Sequence, residues 1–351
     1  MKMDGKAILL TQGKLDSHDA KTAHGLLRGT DRYQVVGVID NSHYGRDAGE
    51  VMDGKFRDIP VYKTLQDFSS SGVTADYLVI GIATKGGYIP DTMREVIKEA
   101  LERGLSVVNG LHEFLGDDPE LNLLADKHQV KLIDIRKPRL KFQLKFWDGS
   151  IAEVKSPIIP VMGTDCAVGK RTTARMLVQA ARELGLKSDM IFTGQTGWLQ
   201  GFKYGFIFDS TYNDFVAGEL ENAIVTYYRD ASPDIIFVEG QASLRNPTGP
   251  GGAEFLVSGG ADGVVLQHAP GRKYFGDEEK LGLIPPLATE IELIRMYGVE
   301  TLAITLNTMG LTETEADRFQ HEIAQQHGLP VFQPLKDGVH QIIPLIQKLN
   351  A

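Results

Sequence analysis

Residues 163–174 of this 351-residue chain read GTDCAVGKRTTA, and this stretch decides the fold of the C-terminal half. The run IIPVMG before it predicts a strand, and GKRTTARMLVQAARELG predicts an amphipathic helix that ends at a glycine. A glycine-rich loop between a strand and a helix is typical of a phosphate-binding loop, because backbone N–H groups and the helix dipole converge on an anion. We therefore expect a P-loop in which Lys170 neutralises phosphate. The plainer interpretation is a tight turn with an incidental lysine.

The loop departs from the common form at two positions. Five residues separate Gly163 from Gly169, one more than usual, and Arg171 stands where a serine or threonine normally holds Mg²⁺. A guanidinium there can cover phosphate charge without a metal, although Arg171 can also point to solvent. The predicted cofactor-binding residues are the whole loop: Gly163, Thr164, Asp165, Cys166, Ala167, Val168, Gly169, Lys170, Arg171 and Thr172.

The composition excludes several classes of protein. A net charge of −9 argues against a general nucleic-acid-binding protein, which would present a basic face. The single cysteine, Cys166, excludes a disulfide framework and fits a reducing compartment; within the loop it is a small residue at a turn rather than an acyl-cysteine nucleophile. No stretch approaches the roughly 18 apolar residues of a membrane span. We expect a cytoplasmic protein that binds no nucleic acid and no membrane.

Alternating strand and helix patterns predict two α/β domains, each with a parallel sheet. Residues 1–138 are predicted to form a Rossmann-like domain, and residues 158–351 a P-loop NTPase-like domain. Residues 139–157 carry a turn at Asp148-Gly149 between two short alternating runs, which predicts a linker with a small hairpin. The first strand is not followed by G-x-G-x-x-G, so no dinucleotide site is expected. The N-terminal domain either adds residues such as Lys14 or Lys85 to the site or has a purely structural or oligomerising role.

Polar residues follow several predicted strands of the C-terminal half. Ligands bind at this edge of an open parallel sheet, so we expect these residues to form one site with the loop, although a single histidine at a strand end is more often structural. The candidates for a general base are Glu239, His268, Asp209 and Asp214. The candidates for substrate binding are Gln195, Thr196, Gln241, Arg245, Arg272 and Lys273.

The loop resembles that of dethiobiotin synthetase and its P-loop relatives, which read G-T-D-x-x-V-G-K-T. The segment FVEG at residues 237–240 also resembles the metal-binding V-E-G segment of that group. The resemblance implies that Asp165 and Glu239 bind Mg²⁺ if the substrate is ATP. The departure lies at the third ligand, where Arg171 replaces the hydroxyl residue and Thr172 cannot be assumed to substitute for it.

The four segments GTDCAVGKRTTA, TGQTGW, VEGQASL and HAPGRK together resemble a family long catalogued as a domain of unknown function, which joins a Rossmann-like half to a P-loop half. The resemblance implies that some members are D-glutamate N-acetyltransferases that use acetyl-CoA. The leading hypothesis is therefore an N-acyltransferase that acetylates the amine of an acidic amino acid. D-glutamate is the expected substrate, and the protein is expected to form a homo-oligomer. The alternatives are an ATP- and Mg²⁺-dependent ligase or kinase of the dethiobiotin synthetase type and a nucleotide-sensing regulatory protein.

Overall fold

The computed structural model describes residues 3–350, which divide into two compact units. The N-terminal unit contains the chain up to Pro138 together with Gln195–Gly201, and the C-terminal unit contains Arg139–Gly194 and the chain from Phe202 onwards. Positions 1, 2 and 351, at the outer ends of the predicted domains, lie outside the described residues. None of the helices in residues 3–350 has the length and apolar character that a membrane span requires.

The N-terminal unit is a doubly wound α/β sheet. Its strands are β1 (Gly5–Leu10), β2 (Tyr33–Ile39), β3 (Val61–Tyr62), β4 (Tyr77–Ile80), β5 (Ser106–Asn109) and β6 (Leu132–Asp134). Its first helices are α1 (Lys21–Leu27), α2 (Ala48–Asp53), α3 (Leu65–Ser70), α4 (Asp91–Glu102) and α5 (Pro119–His128). All strands are parallel, and their order across the sheet is β3-β2-β1-β4-β5-β6. The strand numbers fall from β3 to β1 and then rise from β4 to β6, so the order of the strands switches between β1 and β4. This order confirms the predicted Rossmann-like fold.

The C-terminal unit has a second parallel sheet, in the order β12-β11-β10-β7-β9-β8. Its strands are β7 (Ile158–Gly163), β8 (Ser188–Ile191), β9 (Ile235–Glu239), β10 (Val264–His268), β11 (Thr301–Leu306) and β12 (Val331–Phe332). The helices from residue 170 onwards are α6 (Lys170–Glu183), α7 (Gln195–Leu199), α8 (Asn213–Ala231), α9 (Ala253–Leu256), α10 (Leu287–Met296), α11 (Glu313–His327), α12 (Pro334–Asp337) and α13 (Ile343–Gln347). The P-loop connects the central strand β7 to α6, as predicted.

Burial explains why these segments take these forms. Every residue of β7 is buried, which accounts for its continuous apolar run, because helices cover both faces of a parallel sheet. Helix α4 buries Met93, Ile97, Ala100 and Leu101, which recur at the spacing of one helix face. Helix α11 is capped at its start by Thr312, whose hydroxyl accepts the N–H of Glu315, and at its end by Gly328, which has a φ of 64°.

Helix α7 belongs to the N-terminal unit, although it lies far along the chain. Leu199 is fully buried in the hydrophobic core of that unit. The hydroxyl of Thr30 donates to the carbonyl of Leu199 at 2.8 Å, and Nε of Arg32 donates to the carbonyl of Trp198 at 2.8 Å. The amide of Gln200 donates to the carbonyl of Gly25 at 2.9 Å. The N-terminal unit is therefore built from two separate pieces of chain.

Residues 139–157 contain no strand, so the predicted hairpin is wrong. They form two 3₁₀ turns, Lys141–Gln143 and Ser150–Glu153. Two buried carboxylates on α8, Glu219 and Glu221, accept backbone N–H groups of this segment at 2.8 to 3.0 Å, from Lys145, Asp148 and Ile151. These bonds satisfy the backbone in place of a cross-strand ladder.

Candidate functional site

The loop that connects β7 to α6 has the shape of an anion cradle. Ala167 and Gly169 have φ values of 52° and 109°, so the chain curls through the left-handed region before the helix begins. A Cβ atom added to Gly163 would lie 2.9 Å from Cγ2 of Val168 and 3.0 Å from Cδ of Lys170. The glycine at 163 is therefore needed because the stem of Lys170 crosses directly over it.

Lys170 lies inside this cradle and is only 6% exposed. Its Nζ donates to the carbonyl oxygens of Asp165 and Ala242, each at 2.6 Å. Burial lowers the pKa of Lys170 to about 8, although the charges of Cys166, Asp165 and Glu239 favour the ammonium. Most molecules thus carry a charged ammonium at the loop at pH 7, where it can neutralise a phosphate.

Asp165 is fully buried and accepts four hydrogen bonds. Its Oδ1 accepts the N–H of Cys166 and the amide of Asn246, both at 2.7 Å. Its Oδ2 accepts Nη1 of Arg272 at 2.7 Å and the N–H of Gly276 at 2.8 Å. These four donors occupy the carboxylate lone pairs that a Mg²⁺ ion would need as ligands. The guanidinium of Arg272 also balances the negative charge that would attract the ion.

Asp165 in this arrangement does not fit the role of a magnesium ligand. Within residues 3–350, no group of three or more His, Cys, Asp or Glu side chains is placed to hold a metal ion. The assignment of Asp165 and Glu239 as metal ligands, made only for the case of Mg–ATP, stays a prediction. We derive no chemical step from a metal here.

The three cations predicted to bind substrate have different surroundings. Arg272 donates to Asp165 and, at 2.8 Å, to the carbonyl of Cys166, so it braces the loop. Arg245 is bound to the buried carboxylate of Glu290 through Nε and Nη2, each at 2.7 Å. Lys273 is exposed, with its ammonium 4.9 Å from the ring centroid of Tyr274. Their contribution to substrate binding stays a prediction.

Glu239 ends β9, which pairs with one side of β7. Its Oε2 accepts the N–H groups of Thr193 and Gly194 at 3.0 and 3.1 Å. Burial raises the pKa of Glu239, against the opposing charges of Arg171 and Lys170. Arg171 is half-buried and its charge acts on Glu239, so its side chain is not simply directed into solvent.

His268 ends β10, which pairs with the other side of β7. Its Nδ1 forms a hydrogen bond of 2.9 Å with the hydroxyl of Thr164 in the loop. Burial lowers the pKa of His268 to about 4, so the imidazole is neutral at pH 7. The loop is thus flanked on its two sides by Glu239 and His268, as expected from their positions at strand ends.

The remaining predicted residues are spread over both units. Gln241 donates to the hydroxyl of Thr193 at 3.0 Å, and that hydroxyl donates to the carbonyl of Glu239. Gln195 and Thr196 open α7 in the N-terminal unit. Asp209 is exposed in the 3₁₀ turn Phe208–Ser210, and Asp214 is exposed in the first turn of α8.

Two further loop residues are half-buried. Cys166 has its Sγ 3.5 Å from the amide nitrogen of Asn246, and Thr172 lies in the first turn of α6.

Three polar residues that support the loop were missed by the sequence analysis. Asn246 bonds to Asp165, and the amide of Asn307 donates to the carbonyl of Val168 at 3.0 Å. Gln267, inside β10, accepts the hydroxyls of Thr173 and Thr305 at 2.5 and 2.7 Å. Asn307 directly follows β11, so the rule of polar residues after strands would have found it.

Comparisons with known proteins identify relatives over most of the chain. A D-glutamate N-acetyltransferase of Pseudoalteromonas sp is 32% identical over 280 residues, which cover 77% of this chain and 80% of that protein. A D-glutamate N-acetyltransferase of Tritonibacter scottomollicae is 32% identical over 286 residues, which cover 80% of this chain and 83% of that protein. The crystal structure of a DUF1611 family protein from Anabaena variabilis ATCC 29413 has a TM-score of 0.89 at 30% identity and covers 98% of this chain and 99% of that one.

The two units also match family models. Residues 145–343 match the P-loop domain of the domain of unknown function DUF1611, and residues 41–138 match its N-terminal Rossmann-like domain. These matches confirm the family expected from the four sequence segments. Because a relative is 32% identical over 77% of this chain and both family domains match in order, the chain belongs to the DUF1611 family.

Proposed function

We propose that this protein is an N-acetyltransferase that moves the acetyl group of acetyl-CoA to the amine of an acidic amino acid, with D-glutamate as the acceptor. The observation that carries the proposal is the pair of relatives named D-glutamate N-acetyltransferase, each 32% identical over at least 77% of this chain. The geometry of the loop supports it independently of those names.

The loop suits a phosphate that is bound but not transferred. Coenzyme A carries a pyrophosphate and a ribose phosphate, and acetyl transfer leaves both intact. Lys170 supplies a buried cation and Arg171 a second one beside it, while Asp165 is held by Arg272. This charge distribution favours an anion in the loop without a metal to bridge it.

Glu239 is the best candidate for the general base. A base works best when its pKa lies near the working pH; burial raises the pKa of Glu239, whereas the pKa of His268 falls to about 4. Because Oε2 of Glu239 already accepts two N–H groups, a proton would be taken up by Oε1.

Acetyl transfer in this site proceeds through a tetrahedral intermediate. The amine nitrogen attacks the thioester carbonyl carbon, the C–N bond forms, and the nitrogen gives its proton to Glu239. Backbone N–H groups of the glycine-containing segments after the strands are the candidate donors for the tetrahedral oxyanion. Collapse of this intermediate breaks the C–S bond, and the coenzyme A thiolate leaves and takes up the proton that Glu239 accepted from the nitrogen. Asp209 and Asp214 stay lesser candidates for the base because both are exposed.

The test is release of coenzyme A thiol when the purified protein is mixed with acetyl-CoA and D-glutamate, with L-glutamate as the comparison. Calorimetry with acetyl-CoA and with ATP plus Mg²⁺ runs in parallel. We expect acetyl-CoA binding and thiol release, both lost in Lys170→Ala and kept in Arg295→Gln, which changes an exposed ion pair. Tight Mg–ATP binding without acetyl-CoA binding would reverse the proposal in favour of the ligase or kinase alternative.

The role of Cys166 is tested in the same assay. Direct transfer to the amine needs no acyl-enzyme, so Cys166→Ser should keep its turnover within about twofold. Loss of turnover with acetyl-CoA binding intact would instead require a covalent acyl-cysteine.

A further inference from the structure

The segment that follows β9 contacts the P-loop at two points. The carbonyl of Ala242 accepts Nζ of Lys170 at 2.6 Å. Four residues further on, the amide of Asn246 donates to Oδ1 of Asp165 at 2.7 Å. Ser243 lies between these two contacts, in a part of the chain that the proposed reaction does not yet use.

Ser243 is close to the ammonium of Lys170. The oxygen that accepts Nζ belongs to the peptide group between Ala242 and Ser243, and a trans peptide places this oxygen about 2.8 Å from the next Cα atom. The Cα atom of Ser243 therefore lies at most about 5.5 Å from Nζ. The carbonyl groups of Asp165 and Ala242 use two of the three N–H donors of the ammonium, which leaves one donor for an anion.

The hydroxyl of Ser243 is buried and has no hydrogen-bond partner within residues 3–350. The residue is 2% exposed, so bulk solvent does not reach this oxygen. A buried polar group without a partner destabilises the folded chain, and alanine would fill nearly the same space without this cost. A serine at this position therefore indicates a partner that is not part of the chain.

An exposed turn beside Ser243 offers a route by which a ligand can reach it. Residues 247–250, Pro-Thr-Gly-Pro, are all exposed. The N–H of Gly251 after the turn donates to the carbonyl of Ser243 at 3.0 Å, and the N–H of Gly249 donates to the carbonyl of Asn246 at 3.2 Å. Exposed segments with few buried contacts open locally at low cost, so displacement of this turn can uncover the hydroxyl.

We propose that the hydroxyl of Ser243 donates a hydrogen bond to the phosphate that Lys170 neutralises. A phosphate group has several charged oxygens that accept strongly, so one group can contact both Nζ of Lys170 and the hydroxyl. The inference rests on the proposed function for the identity of the ligand, because coenzyme A would supply this phosphate as part of its pyrophosphate. It adds to the site a cofactor-binding residue that lies outside the loop.

The experiment is calorimetric titration of the full chain with acetyl-CoA and with inorganic pyrophosphate. Ser243→Ala should bind each of them about tenfold more weakly than the wild type, which corresponds to about 1.4 kcal/mol. A hydrogen bond to a charged group contributes at least this much. The KM for the amino-acid acceptor should stay unchanged, because the lost contact is to the cofactor.

The same substitution should not destabilise the protein without ligand. The midpoint of guanidinium denaturation of Ser243→Ala, measured without ligand, should be at least as high as that of the wild type, because no hydrogen bond within the chain is lost. A serine that had a structural partner would give a lower midpoint.

Thr301→Val is the matched control. Thr301 is 5% exposed, and its hydroxyl is likewise buried without a partner among the described residues. It begins β11, whereas the loop follows the end of β7, so the two lie at opposite edges of the parallel sheet. Thr301→Val should keep its affinity for both ligands and should not lower the denaturation midpoint.

Failure of this inference can be told apart from failure of the proposed function. Pyrophosphate has no acetyl group, so a tenfold loss of its binding in Ser243→Ala supports the contact even if the protein releases no coenzyme A thiol. Unchanged pyrophosphate binding in Ser243→Ala would overturn the inference, as expected if an internal water satisfies the hydroxyl. A lower denaturation midpoint in Ser243→Ala, an equal loss of affinity in Thr301→Val, or absence of pyrophosphate binding by the wild type at millimolar concentration would overturn it equally.

Discussion

Replacement of Arg272 by glutamine should destabilise the C-terminal unit strongly. The substitution removes the guanidinium that contacts Oδ2 of Asp165 at 2.7 Å, and this carboxylate is fully buried while the arginine side chain is 13% exposed. The variant also loses the hydrogen bond from Arg272 to the carbonyl of Cys166. A buried carboxylate without its cation has no nearby solvent to stabilise its charge.

The expected magnitude follows from these contacts. Removal of one partner from a buried ion pair costs about 3–5 kcal/mol, and a neutral hydrogen bond adds about 1 kcal/mol. Asp165 keeps three neutral donors, from Cys166, Asn246 and Gly276, which offset part of the loss. We therefore expect the free energy of unfolding to fall by about 3 kcal/mol in Arg272→Gln.

The assay is guanidinium denaturation of the wild type, Arg272→Gln, Asp165→Asn and the double variant. The double variant should lose less stability than the sum of the single variants, because the two side chains contact each other directly. Arg295→Gln is the matched control: its pair with Glu292 is exposed, and its loss should cost less than about 1 kcal/mol. A change below about 1 kcal/mol in Arg272→Gln, with a large loss of acceptor affinity, would refute the reasoning and return Arg272 to substrate binding.

Three further predictions follow from the titratable groups of the loop. The affinity for acetyl-CoA, measured by calorimetry from pH 6.5 to 9.5, should fall as the pH rises through 8, since Lys170 loses its proton with a pKa of about 8; a flat profile would exclude a contact with phosphate. Glu239→Gln should lower kcat by about 10²–10⁴-fold with little change in KM, and a larger effect from His268→Gln would move the base to the histidine. Because the pKa of His268 falls from 6.5 to about 4 on folding, stability should decrease as the pH drops from 6.5 towards 4, by about 3 kcal/mol at most. The denaturation midpoint of His268→Gln should depend less on pH over that range than the midpoint of the wild type. An equal dependence on pH in the two proteins would contradict burial of a neutral imidazole.

The sequence was sufficient to predict both parallel sheets and the position of the loop. Buried parallel strands read as continuous apolar runs, and helices such as α4 keep their apolar residues on one face. No prediction covered α2, α3 and β3. Strand β3 has two residues, too few to show a period, and α2 is fixed by Asp47, whose carboxylate accepts the N–H groups of Gly49 and Glu50.

The candidate site was predictable only in part. The strand-end rule brought Glu239 and His268 to the loop, because their strands pair with β7. The state of Asp165 was not predictable, since its partners Asn246, Arg272 and Gly276 lie 81, 107 and 111 residues away along the chain. The residues next to a buried carboxylate in the sequence do not indicate which donors will contact it, because those donors are brought to it by the tertiary structure.

The position of Gln195–Gly201 has a consequence for the order of folding during synthesis. Domains generally fold from the N-terminus as the chain emerges. Here the core that surrounds Leu199 cannot close until that residue has left the ribosome, and the P-loop strand and helix α6 are made before it. Residues 1–138 released alone would lack a buried leucine and the carbonyl groups that Thr30 and Arg32 contact. Completion of the first unit is therefore tied to translation of the second.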